Sequence, residues 1–144
     1  MRHYLFILLA AFLLAASARA ADMKIEALLV RGVNDQKSVP DGKPVDSQLA
    51  DKLHDTFKWK YYFQVTNQDA SIPLNKVRDI RLSDQCIVSI KNLGASRVEV
   101  NCTGEGNKQC KGSYTLTPPK WLVLGGNARD DSAWFISLRS KDAK

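Results

Sequence analysis

The chain has 144 residues, with 21 Lys and Arg against 15 Asp and Glu and only 2 His, which gives a formal net charge of +6. This length suits one domain built on one hydrophobic core. The mixing of basic with acidic residues argues against nucleic-acid binding. Walker, dinucleotide-binding and Gly-x-Ser-x-Gly motifs are absent from the sequence.

Residues 1–20 are organised like a secretory signal peptide. A basic start at Arg2 precedes an apolar run over residues 5–16, and the segment ends in the small-residue pattern Ala-Arg-Ala at 18–20. The run is too short to cross a bilayer, which requires about 20 apolar residues. We therefore predict that residues 1–20 are cleaved, that no transmembrane segment remains and that the protein is exported to the periplasm or the extracellular space.

Cleavage changes the residues that are available for function. Loss of Arg2 and Arg19 lowers Lys plus Arg from 21 to 19 against 15 acids, so the net charge falls from +6 to +4. Loss of His3 leaves His54 as the only histidine, which excludes multi-histidine metal sites. Residues 21–139 are predicted to form a single β-rich domain, followed by a polar C-terminal tail over residues 140–144.

The first part of this domain predicts a strand, a long loop and a helix. The strand covers residues 24–30, and the loop covers residues 33–44, which are rich in Asn, Asp, Lys and Gly and include two prolines. Asp46 or Ser47 can then cap an amphipathic helix that lies on a sheet. Its apolar residues recur at helical spacing: Val45, Leu49, Ala50, Leu53 and Phe57.

From residue 58 onward the apolar period changes to two, which is typical of strands. Four large apolar residues share one parity and are expected to face the helix and core: Trp59, Tyr61, Phe63 and Val65. The opposite parity then exposes Tyr62, with Lys58 and Lys60 beside it. This aromatic and basic surface is a candidate protein interface, and it is too small for a nucleic-acid platform. A turn is predicted at residues 67–70.

The rest of the chain predicts short strands joined by turns. They cover residues 71–74, 77–82, 86–91, 97–102, 110–116, 121–124 and 134–139. The polar segments at residues 104–107 and 125–131 are predicted loops. We therefore expect a mainly β (α+β) fold, an antiparallel β-sandwich or partly open barrel of about eight short strands, with one amphipathic helix near the N-terminus.

The three cysteines, Cys86, Cys102 and Cys110, share one strand parity, so their sulfurs are expected side by side on adjacent strands. Placing Cys86 opposite Cys102 gives a three-residue turn at 93–95. Placing Cys102 opposite Cys110 keeps apolar residues on the same face equally well. We favour a Cys102–Cys110 disulfide because its loop is short and contains two glycines, with Cys86–Cys102 as the alternative. The remaining thiol is expected to be buried.

A likeness at the level of layout rests on the exported first strand, the capped helix that runs into residues 57–62, and the ending at residues 121–126 followed by 133–136. This layout resembles small secreted bacterial proteins of uncharacterised function, and the likeness covers most of the chain after residue 20. This resemblance implies no active site that could be assigned to named residues.

We predict a non-enzymatic, exported binding or structural accessory module whose partner is another exported or envelope protein. No catalytic residue, cofactor or metal ligand is assigned. One alternative is a thiol-dependent redox protein or enzyme that uses one of the three cysteines, although the sequence has no Cys-x-x-Cys pair and His54 lies on a distant segment. A further alternative is a binder of anionic polymers through the net charge of +4.

Overall fold

The computed structural model describes residues 22–104, 109–127 and 132–142. The predicted signal peptide, the end of the tail and much of the two predicted loops at 104–107 and 125–131 lie outside these residues. The described strands are β1 (Met23–Val33), β2 (Lys43–Pro44), β3 (Tyr61–Ile72), β4 (Val77–Ser83), β5 (Cys86–Gly94), β6 (Arg97–Thr103), β7 (Gln109–Thr115), β8 (Leu122–Asn127) and β9 (Ala133–Ser140). The helices are a 3-10 turn (Gln36–Ser38) and α1 (Ser47–Thr56).

The strands form two antiparallel sheets. One has five strands in the order β2-β3-β1-β9-β8, and the other has four in the order β4-β5-β6-β7. The predicted mainly β class with antiparallel strands and one α-helix is confirmed. The finer expectation of one sandwich or partly open barrel is not what the structure shows, and α1 lies inside the chain, between β2 and β3, rather than at the N-terminus.

Strand β1 is buried on both faces, and this explains its continuous apolar run. Ala27 and Leu29 belong to a core cluster that also contains residues of the four-stranded sheet, such as Val88 and Val100. Leu28 and Val30 belong to a second cluster, which contains the buried residues of α1. In a strand that is covered on both faces, neither set of alternate residues faces solvent, so apolar and polar residues do not alternate along its sequence.

Helix α1 begins and packs as the sequence predicts. The Asp46 side chain accepts a hydrogen bond from the Leu49 backbone N–H at 2.8 Å, which satisfies a donor that the first turn leaves free. Leu49 and Leu53 are fully buried against the five-stranded sheet. The apolar stripe of a single short helix is therefore enough to fix how it lies on the sheet.

The turn predicted at residues 67–70 is wrong, because β3 runs through it to Ile72 and pairs with β1 along its length. The register shifts once, since Leu29 faces Thr66 whereas Val30 faces Gln64, and Val65 is the extra residue of a β-bulge. Strand β2 covers β3 only at residues 63–64. The polar residues after the bulge therefore have β1 as their only strand partner among the described strands, and residues on such an edge need not be apolar.

The hairpin β5–β6 is confirmed as a hairpin, but its register differs from the one that places Cys86 opposite Cys102. Val88 lies opposite Cys102 instead, and Gly94 lies opposite Arg97. The loop consequently has two residues, Ala95 and Ser96, with φ of 53° and 63°. Two consecutive left-handed residues are what a type I′ turn requires, so the three-residue turn at 93–95 does not form.

Because Ser96 occupies a left-handed conformation that glycine adopts without a steric penalty, Ser96→Gly is expected to raise the free energy of unfolding by about 0.5–1 kcal/mol. Urea unfolding followed by circular dichroism measures this. The matched control is Ser113→Gly in the extended strand β7, where glycine is expected to destabilise. Equal destabilisation by both substitutions would show that the loop is not a type I′ turn.

The chain after residue 139 is attached to the five-stranded sheet as far as the structure describes it. Ser140 ends β9, and the Lys141 backbone N–H donates to the Lys24 carbonyl at 2.8 Å. The Lys141 ammonium also lies 3.2 Å from the Asp69 carboxylate. Across the described ranges, no helix combines the length and the apolar character that crossing a membrane requires.

Candidate protein interface

Residues 57–63, here called the aromatic segment, connect α1 to β3 and are held at several points. The Phe57 backbone N–H donates to the Leu53 carbonyl at 2.8 Å, which closes the end of the helix. Trp59 is only 3% exposed, and the Lys60 backbone N–H donates to the Asn34 side-chain oxygen at 3.2 Å. The segment therefore presents its exposed side chains from a fixed backbone.

Tyr62, predicted to be exposed, is buried, with 5% of its surface accessible. Its strand partner is Gly32 of β1, and its side chain lies on the face of the sheet that packs against α1. Its hydroxyl accepts from the Trp59 backbone N–H at 3.1 Å and lies 3.4 Å from the Leu53 carbonyl, to which it donates. Burial raises the pKa of Tyr62, and the hydrogen bond from Trp59 opposes this in part. Tyr62 is thus a structural support of the segment.

Tyr61 takes the exposed position that was expected for Tyr62. It is 38% exposed, and its ring stacks on that of Phe63 with 6.3 Å between centroids and 15° between planes. Lys58 and Lys60 are exposed on either side of the buried Trp59. The Lys58 ammonium lies 4.9 Å from the centre of the Trp59 ring, close enough for a cation–π contact. The aromatic segment therefore has two exposed cations and one exposed aromatic ring, of which Lys60 and Tyr61 line the same cleft.

A cleft of about 200 Å³ opens beside Tyr61, between α1, β2 and the start of β3. Its floor is largely apolar, and Gln36, His54 and Lys60 supply the polar groups. The His54 and Tyr62 rings form a T-shaped pair, with 5.0 Å between centroids and 83° between planes. The complete lining is Gln36, Pro44, Val45, Ala50, His54, Lys60, Tyr61, Tyr62 and Phe63.

Sequence reasoning missed the cleft because a loop builds one of its walls. Gly42 lies so close to β3 that a Cβ there would come within 2.8 Å of the Phe63 Cβ, and it would also meet Val39. The chain can close over Phe63 only with a glycine at this position. Gly42 is therefore the one signal in the predicted loop that could have indicated a tight approach to the aromatic segment.

Cys102 and Cys110 lie opposite each other on β6 and β7 and form a disulfide, with 5.1 Å between their Cα atoms. This is the first of the two pairings that the sequence left open. Cys86 is a free, buried thiol that faces Ser83 across β4 and β5. Burial raises the pKa of the Cys86 thiol. At neutral pH it therefore stays protonated, which makes it a poor nucleophile.

Within the described parts of the chain, no three His, Cys, Asp or Glu side chains come together in a way that could hold a metal ion. Comparisons of the chain with protein-family models, with curated proteins and with solved structures find no match. The chemistry of the chain's own residues is then the guide to its function.

Proposed function

We propose that the protein is an exported, non-enzymatic accessory module, periplasmic or extracellular, that binds another exported or envelope protein. The binding surface consists of Tyr61, Lys58, Lys60 and the cleft. The observation that carries this proposal is Tyr61, an exposed aromatic residue on a fixed backbone that contributes to the lining of an apolar cleft. Aromatic side chains beside desolvated pockets are typical hot spots of protein interfaces, since they bury much area at small entropic cost.

The size of the cleft favours a protein partner over a small-molecule substrate. Pockets for small ligands usually enclose about 300–1,000 Å³, whereas this cleft measures about 200 Å³ and is open on one side. It has room for one apolar side chain of a partner. Lys60 lines the cleft, so it lies where a carboxylate next to that side chain would be neutralised, and the exposed Lys58 precedes it by two residues. The partner's contact segment is therefore an apolar anchor next to an acidic residue.

The state of the cysteines disfavours the thiol-dependent alternative. Two of the sulfurs are in the disulfide, and the third belongs to Cys86, which is buried and has a raised pKa. A nucleophilic cysteine needs access and a lowered pKa. The binding module is accordingly the better supported of the two functions.

Site-specific photo-crosslinking in the producing cells tests the proposal. A benzophenone amino acid replaces Tyr61 in one variant and Lys111, on the distant strand β7, in the control. A discrete adduct is expected from position 61 only. It is expected to disappear when Ala50→Leu fills the cleft, because Ala50 lines the cleft and a larger side chain there takes the anchor's place.

The partner identified from the adduct, once purified without a crosslink, allows its affinity for each variant to be measured. Tyr61→Ala and Lys60→Glu are each expected to weaken its binding about tenfold or more, which corresponds to about 1.4 kcal/mol. Lys111→Glu, which makes the same change of charge elsewhere, is expected to have no effect. Equal weakening by Lys60→Glu and Lys111→Glu, together with competition by a soluble polyanion, would instead indicate a general binder of anionic polymers.

A further inference from the structure

Strand β4 forms an open edge of the four-stranded sheet and is not part of the cleft or the aromatic segment. Among the described strands it pairs only with β5, so one side of its backbone has no strand partner. Val77 is 54% exposed and the neighbouring Leu74 is 41% exposed. The edge contains no proline, and its only irregularity is a register shift near its end, between Arg81 and Ser83. It therefore lacks the proline that often blocks pairing at an edge.

Four of the five charged residues along this edge face an opposite charge when two copies are related by a twofold axis, and the fifth, Arg78, lies opposite Leu82. When two copies of the strand pair in antiparallel fashion about Ile80, Asp79 of one copy faces Arg81 of the other, and Arg81 faces Asp79. Lys76 and Asp84, just outside the strand, face each other in the same way. All four charged side chains are exposed, and one Asp79 oxygen accepts from the Ser89 hydroxyl, which fixes the carboxylate at the surface.

The same charges disfavour neighbouring registers. A shift of two residues in one direction places Asp79 opposite its own copy, and a shift in the other direction places Arg81 opposite its own copy. A shift of one residue would place the exposed residues of one strand, such as Asp79 and Arg81, opposite Ile80 and Leu82 of the other strand, which are buried. Opposite charges directly across two strands stabilise the pair, and like charges destabilise it. One register is thus selected.

We propose that the protein forms a twofold homodimer in which the β4 edges of two copies pair in antiparallel fashion about Ile80, joining two four-stranded sheets into one of eight strands. An isologous contact of this kind needs the same patch on both copies, which the Asp79 and Arg81 pair provides. A single strand edge is small for an interface, so the expected dissociation constant is on the order of 10 µM.

Sedimentation equilibrium of the purified full chain, from about 1 to 500 µM, tests the dimer across the expected range of affinity. Asp79→Arg and Arg81→Asp each create two like-charge contacts by symmetry, so each is expected to weaken dimerisation at least tenfold. The double variant D79R/R81D exchanges the charges and restores complementarity. It is expected to dimerise to within about threefold of the original chain.

Lys111→Glu on β7, at the other edge of the same sheet, changes the net charge as Arg81→Asp does and is expected to leave the dimer unchanged. Circular dichroism and thermal unfolding of each variant separate loss of the dimer from loss of the fold. A chain that stays monomeric at the highest concentration overturns the proposal. So does a folded double variant that fails to recover, or a Lys111→Glu variant that weakens dimerisation as much as Arg81→Asp does.

Discussion

Replacement of Phe135 by alanine is expected to lower the free energy of unfolding by about 3–5 kcal/mol. Phe135 is 1% exposed and lies in the cluster between α1 and the five-stranded sheet. Its ring centroid is 4.5 Å from that of Phe57 and 6.0 Å from that of Tyr62. The substitution removes apolar contacts and leaves a cavity beneath the helix. Because small domains are stable by about 5–15 kcal/mol, urea unfolding should show a large fall in the midpoint.

Two matched substitutions show whether this loss comes from packing at that position. Phe135→Leu keeps most of the apolar volume and is expected to cost about 1–1.5 kcal/mol. Val65→Ala removes an apolar side chain that is 45% exposed, so a change within about 0.5 kcal/mol is expected. If Phe135→Ala cost no more than Val65→Ala, the second cluster would not be what holds α1 on the sheet. Phe135→Ala should also weaken partner binding, since Phe57 and Tyr62 support the aromatic segment.

Features that depend on neighbours in sequence could be predicted. The cap at Asp46 and the buried pair Leu49 and Leu53 follow from a helical turn of four residues, which the sequence displays directly. The pairing of Cys102 with Cys110 could also be predicted, because the short loop between them allows few strand registers. Local geometry restricts the alternatives before tertiary packing acts.

The face on which Tyr62 lies could not be predicted, because it depends on contacts far away in the sequence. The bulge at Val65 reverses the relation between sequence parity and sheet face in the middle of β3. Trp59 also lies before the strand begins, so the alternation from 59 to 65 spans two different structures. Lys58 and Lys60 are exposed as the sequence predicts, whereas the exposed ring of this segment belongs to Tyr61 and not to Tyr62.

The strands that pair with β1 could not be predicted from the sequence either. Strand β9 pairs with β1 from the far end of the chain, and Arg139 reaches Glu26 at 2.6 Å. Alternating apolar residues show that a strand has a buried face, but they do not show which strand lies beside it. The division into two sheets therefore emerges only from the full set of pairings. The cleft is similarly nonlocal, because Gln36 and Pro44 line it together with His54 of α1 and Phe63 of β3.

Removal of the Cys102–Cys110 disulfide is expected to cost about 2–3 kcal/mol of unfolding free energy, because the bridge restricts the unfolded chain over a short loop. The variant Cys102→Ala with Cys110→Ala measures this in urea. Cys86→Ala is the matched control. It removes one buried sulfur from the core cluster and is expected to cost about 1 kcal/mol, with the disulfide intact by mass spectrometry.

Thiol counting in the Cys86→Ala variant then decides between the two pairings that the sequence left open, because a Cys102–Cys110 bridge leaves no free thiol there, whereas a Cys86–Cys102 bridge would leave two. In the native protein one thiol, Cys86, should react slowly, because burial both blocks access and raises its pKa. In denaturant the same single thiol should react fast, and it should remain in the double variant. If Cys86→Ala instead abolished the bridge and caused the larger loss, Cys86 would pair with Cys102. The β5–β6 register would then have to move by two residues, and the two-residue turn at Ala95 and Ser96 would be lost.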